Sequence, residues 1–169
     1  MTSQNDHDYK RHWQVLWNVR LGIRYHMHLQ NFHSRFGKFV TAFTLILSTS
    51  AGATLINANV DFAKIFAFSA AVLQVLELVV DSKAKLFLHS NLRQHYIRLE
   101  SELLSGGDEL TKIEFGIIKN KIASIEVEEP PIITSLMKLC HNELVKVYRC
   151  ADNIESMKCW EKLIAYWFS

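Results

Sequence analysis

The segment Phe39–Val80 constrains this chain more than any other. It holds two apolar runs, Phe39–Ile56 and Phe62–Val80, on either side of the polar break Asn57–Asp61 (NANVD). The first run carries no charge. The second carries Lys64 near its start and Glu77 near its end. A helix needs roughly 20 apolar residues to cross a hydrocarbon core about 30 Å thick, and each run is close to that length. The pair predicts a transmembrane helical hairpin. A hairpin buried inside a soluble protein is the competing reading.

Charge placement sets the expected orientation. Lys10, Arg11, Arg20, Arg24, Arg35 and Lys38 precede the hairpin, Lys83, Lys85, Arg93 and Arg98 follow it, and Asn57–Asp61 has no base. Basic residues near membrane ends stay on the cytoplasmic side, so both termini are expected inside and the turn outside. The first apolar run starts too late for the core of a cleaved leader. Cys140, Cys150 and Cys159 are odd in number and make no CxxC pair, so reduced cytoplasmic thiols are expected.

The 169 residues suffice for one compact unit. Residues 1–8 are polar and read as disordered. From Tyr9, the steps through Trp13, Leu16, Ile23 and Met27 predict a cytoplasmic and juxtamembrane helix over 9–38 that continues into the first span. Phe32, Phe36 and Phe39, with Arg35 and Lys38, suit the membrane interface. The second span, 62–80, is expected to run on into a cytoplasmic helical bundle over 81–152. Leu88, Leu92, Tyr96, Leu99 and Leu103 form one stripe, ended by Gly106 and Gly107. Asp108 is placed to cap the next helix, with Leu110, Ile113, Ile117, Ile122 and Ile125 on one side. EVEEPP (Glu126–Pro131) breaks it. Ile133, Leu136, Met137, Cys140, Leu144, Val147, Tyr148 and Ala151 then give the cleanest helical pattern. The tail over 153–169 holds Trp160, Leu163, Ile164, Trp167 and Phe168 beside Lys158 and Lys162. It suits an amphipathic helix lying on a membrane or packing on the bundle. Nothing alternates like a strand, so the fold class is all-α.

The chain shows no catalytic constellation. It lacks a P-loop, GxSxG and HExxH, and Cys140 and His141 are adjacent and so point apart on a helix. His26, His28 and His33 are not expected to form a metal site, because residues two apart on a helix do not share a face. No cofactor is expected, and the bases serve the bilayer rather than nucleic acid.

Polar groups inside the apolar runs are the candidate functional positions. Gln74, Glu77 and Asp81 are spaced to share a face, and Thr44 and Ser48 lie in the first run. Intramembrane ionisable residues face a bundle interior or a watery path. The competing reading for Glu77 is snorkelling, or pairing with Lys83 or Arg35. Ser48 and Gly52 form a small-xxx-small pair that lets helices approach.

Several motifs taken together resemble the SLATT family of two-helix membrane proteins from bacterial conflict and nucleotide-signalling systems. They are Tyr25-His26, STSAGA (Ser48–Ala53), IEVEEPP (Ile125–Pro131) and LCHNEL (Leu139–Leu144), and the resemblance spans 9–152. It implies an inner-membrane effector that forms pores or perturbs the membrane when a partner senses infection. It also implies a separate sensor or nucleotide-making partner, and it carries over no catalytic residue. Two functions stay open: a homo-oligomeric pore or membrane-disrupting effector in anti-phage defence, and a non-conducting interaction protein such as a prophage superinfection-exclusion factor. An integral membrane enzyme ranks below both.

Overall fold

The computed structural model describes residues 2–48 and 60–169, and these are all-helical. In chain order the helices are α1 (Thr2–Ser48), α2 (Val60–Val80), α3 (Ser82–Ser105), α4 (Lys112–Glu126), α5 (Thr134–Val147) and α6 (Cys159–Phe168), with a 3₁₀ turn at Ala151–Asn153. No strand occurs among the described residues. The chain divides into two compact units, Met1–Leu29 with Leu88–Ser169, and Gln30–Phe87.

α1 begins at Thr2, so residues 2–8 are helical rather than disordered. Its early turns are tied down: Arg11 pairs with Asp8 and donates to the Leu110 carbonyl at 3.1 Å. The helix carries no proline to interrupt it before Ser48.

In the first unit, two apolar clusters form the core. Val15, Leu16 and Val19 of α1 pack with Leu92, Tyr96, Leu99 and Leu103 of α3 and with Ile118 and Ile125 of α4. The α3 steps of four, three and four put those four side chains on one stripe, as the sequence predicts. Gly22 of α1 meets the same stripe. A Cβ there would sit 2.8 Å from the Tyr96 ring, so only glycine lets the ring lie against the backbone. Further along, Tyr25 and Leu29 join Leu136, Leu139 and Cys140 of α5 and Ala165 of α6 in the second cluster. Burying each large apolar side chain of this kind is worth about 1.5–3 kcal/mol.

Three local expectations are corrected. α4 is capped by Thr111 rather than Asp108: Thr111 Oγ1 accepts the Glu114 amide at 3.3 Å and the Glu114 carboxylate accepts the Thr111 amide at 2.9 Å. A reciprocal box of this kind satisfies two donors at once. The buried side of α4 is Ile118 and Ile125, with Phe115 and Ile122 beside them, whereas Ile113 and Ile117 are exposed. Ile113 lies five residues from Ile118, which is about 140° around the helix. Third, α5 stops at Val147, which is exposed, because Arg149 takes a left-handed φ of 56°. Leu139 and Val145 complete its buried face instead.

In the second unit, α2 has the most apolar sequence and almost no burial. Among the described residues, one helical stretch, within Lys64–Ser105, is long and apolar enough to cross a membrane, and 6% of its most apolar part is buried. Phe68, Val75, Leu78 and Val79 all face outward. The expected continuation of α2 into the next helix is interrupted at Asp81, which adopts φ 46°. Asp tolerates this conformation better than most residues because its short side chain bonds locally. Here Asp81 Oδ1 accepts the Ala84 amide at 3.2 Å and so caps α3. The later part of the first apolar run and most of the NANVD break lie outside the described residues.

Candidate functional site

The polar positions within the apolar runs form a seam in the unit Gln30–Phe87. Thr44 is on α1 and Gln74 on α2. Gln74 Nε2 donates to Thr44 Oγ1 at 2.6 Å, and Thr44 Oγ1 in turn donates to the Val40 carbonyl at 2.9 Å. Thr41 makes the same backbone bond to Gly37, at 2.8 Å. Threonine hydroxyls bonded back to the preceding turn are a low-cost way to keep a polar group in an apolar helix.

One turn further along α2, the Glu77 carboxylate accepts the Ser82 hydroxyl at 2.8 Å. Ser82 is buried and Glu77 half-buried. Gly37 of α1 faces this pair: a Cβ at position 37 would lie 3.5 Å from Ser82 Cβ and 3.7 Å from Glu77 Oε1. Nearby, burial holds the His33 imidazole below its usual range, helped by Lys85 and opposed by Glu77. An apolar cleft of about 340 Å³ opens beside these residues, lined by Gly37, Thr41, Ala42, Leu45, Ser82 and Leu86.

The structure therefore brings Thr44 to Gln74 and Glu77 to Ser82. α2 ends at Val80, and the Asp81 side chain turns to the α3 amides. The Ser48 side chain and all of Gly52 lie outside what is described.

A second polar cluster, in the other unit, escaped the sequence reading. His26 of α1 and His89 of α3 are both buried, and their Nδ1 atoms approach to 3.1 Å with the rings stacked. One nitrogen must carry the shared proton, because two N–H groups cannot face each other at that distance. His26 Nε2 lies 3.1 Å from Glu129 Oε1, and the Tyr96 hydroxyl donates to the same oxygen at 2.7 Å. Burial works to raise the Glu129 carboxyl. The bonds from His26 and Tyr96 outweigh it, and the group sits below its usual range. Burial, reinforced by Glu129, pushes the Tyr96 phenol up. Tyr25 closes the cluster by accepting the Ile133 amide at 3.0 Å.

His28 points elsewhere, to Glu143 at 3.1 Å, as its two-residue offset from His26 requires. Among the described residues, no group of His, Cys, Asp and Glu is arranged to hold a metal ion. What brings His26 into a network is His89, 63 positions away. No local spacing signals that pairing.

No protein-family model matches the chain, and no curated protein or solved structure does either.

Proposed function

We propose that this chain is an oligomeric inner-membrane effector that forms a pore or otherwise perturbs the membrane in a bacterial anti-phage or conflict response. On this reading it enters the bilayer as a two-span hairpin over 39–56 and 62–80, with both termini in the cytoplasm. The carrying observation is how little of the apolar stretch in α2 is buried. The core helix of a soluble protein would be mostly buried, and a contiguous apolar surface of this extent in water would drive association. Lipid is the solvent that suits it.

Two spans cannot enclose a pathway alone, so conduction requires assembly of copies. Gln74, Glu77, Asp81, Thr44 and Ser48 are the positions assigned to its polar side, and Ser48 with Gly52 to contact between helices. The motif resemblance supplies the conflict setting and a separate sensor or nucleotide-making partner. The effector acts without catalysis and without a cofactor.

One observation favours a second reading. Gln74 and Glu77 both have partners within their own chain, at 2.6 Å and 2.8 Å, and so do not need a wet lumen. A non-conducting membrane interaction protein, such as a superinfection-exclusion factor, would use them as internal fasteners.

The mass of the particle extracted in mild detergent, measured beside membrane depolarisation in overproducing cells, separates the two. A closed homo-oligomer with depolarisation supports the effector. A monomer or a heteromer with no depolarisation overturns it in favour of the blocking protein.

A further inference from the structure

We infer that the outward face of α6 is a docking surface for an anionic lipid surface. The inference rests on the membrane reading above and adds a second point of lipid contact, outside the apolar runs.

The orientation of α6 is set by its inner side. Ala165 is fully buried and Phe168 packs beside it in the cluster built on Tyr25, Leu136 and Cys140. Glu161 is buried on the same side. Its Oε1 pairs with Lys138 of α5 at 2.8 Å and its Oε2 accepts the Lys158 amide at 2.8 Å, closing the first turn. At about 100° per residue, residues 161, 165 and 168 occupy one narrow arc.

Next to that arc runs an apolar stripe that is uncovered. Trp160, Leu163, Ile164 and Trp167 follow steps of three, one and three, and form one stripe. Trp160 is 57% exposed, Leu163 73% and Trp167 69%. On the flank, Tyr166 and Lys162 are also exposed. A stripe of this size, on a helix already fixed by its other side, is not left over from packing.

Two features select lipid over a protein partner. The aromatic residues are Trp and Tyr, whose apolar bodies and polar tips suit the headgroup layer. Charge selects the sign of the surface. The exposed charged residues on and at the start of α6 are Lys158 and Lys162, while the helix's acid, Glu161, is buried and paired. The exposed charge of α6 is cationic and lies on the flank away from the aromatic–aliphatic stripe, as on an amphipathic helix that rests on an anionic leaflet.

The test uses the full chain reconstituted in vesicles of phosphatidylcholine, alone or mixed with phosphatidylglycerol, with acyl chains brominated to quench tryptophan. Trp160 and Trp167 are two of the four tryptophans, so about half of the emission should be quenched in the mixed vesicles. W160F/W167F should abolish that quenching while leaving the fold intact, because both side chains lie outside the core. Lys162→Glu should reduce quenching in the mixed vesicles to the level seen with phosphatidylcholine alone. Undiminished quenching in W160F/W167F would overturn the inference. So would absent quenching with copies cross-linked through a cysteine placed at position 167, which would assign the stripe to a second copy. Alkaline carbonate separates the two readings. Protein that washes off yet is quenched through Trp160 and Trp167 refutes the hairpin and supports the lipid-facing stripe. Protein that stays embedded without that quenching refutes only the stripe.

Discussion

Gln74 and Thr44 meet across the two apolar helices at 2.6 Å, and Thr44 hands its own proton to the Val40 carbonyl. On the membrane reading proposed above, the two polar groups thus satisfy each other away from water. Interhelical bonds of this type in membrane proteins average about 0.6 kcal/mol and reach about 1.7. Gln74→Leu and Thr44→Val are each expected to weaken the hairpin by that order, and the double variant by no more than the larger single loss. A double-mutant cycle on detergent unfolding checks this; additive losses would mean that the bond contributes nothing of its own.

Glu77→Gln keeps an acceptor for the Ser82 hydroxyl and removes the charge. Expression and particle mass are expected to stay normal while depolarisation weakens, since a ring of carboxylates would favour cations. Full depolarisation with normal assembly would remove Glu77 from any lumen.

The imidazole cluster predicts loss of stability in acid. Hydrogen bonds hold the folded Glu129 carboxyl below its ordinary value, so over that interval the unfolded chain binds the extra proton. The contribution is therefore complete above the ordinary glutamate range and is lost as pH falls through the folded value. Glu129→Gln should flatten this acid limb of the melting temperature. An unchanged acid limb in the variant would place the sensitivity elsewhere.

The three thiols should separate cleanly. Burial pushes Cys140 up to about 12, whereas Cys150 and Cys159 are exposed. The thiolate is the reactive form, so at neutral pH an alkylating reagent should add to two sites and reach the third only on unfolding. Intact mass against time reads this directly. Three equally fast additions would contradict the packing of α5.

Gly22 and Gly116 offer a matched pair. A methyl at position 22 would enter the Tyr96 ring, while nothing lies within 4 Å of one at position 116. Gly22→Ala should cost about 1–3 kcal/mol, the usual penalty of overpacking. Gly116→Ala should be neutral or stabilising. Equal thermal shifts would argue against the α1–α3 contact.

Helix stripes were the legible part of this fold. Leu92, Tyr96, Leu99 and Leu103 repeat at helical steps, and the two-proline break falls just after the end of α4 at Glu126. Phase within a short helix was harder, because α4 offers isoleucines on two faces and tertiary contact chooses Ile118 over Ile113 and Ile117. The stop at Asp81 was hidden for a different reason. Aspartate within an otherwise continuous pattern reads as a polar residue on a helix, and its backbone conformation leaves no mark on periodicity. Polar partners were half legible: Gln74 and Glu77 stood out against an apolar background, but Thr44 and Ser82 as their partners depend on how two helices pair. His26, His89 and Glu129 were invisible as a group, since they converge from three distant segments.

The left-handed residue at Asp81 separates the most apolar helix from a more polar one that carries its own cap, the Ala84 amide bonded to the Asp81 carboxylate. On the membrane reading proposed above, that single residue is where the chain leaves lipid for water.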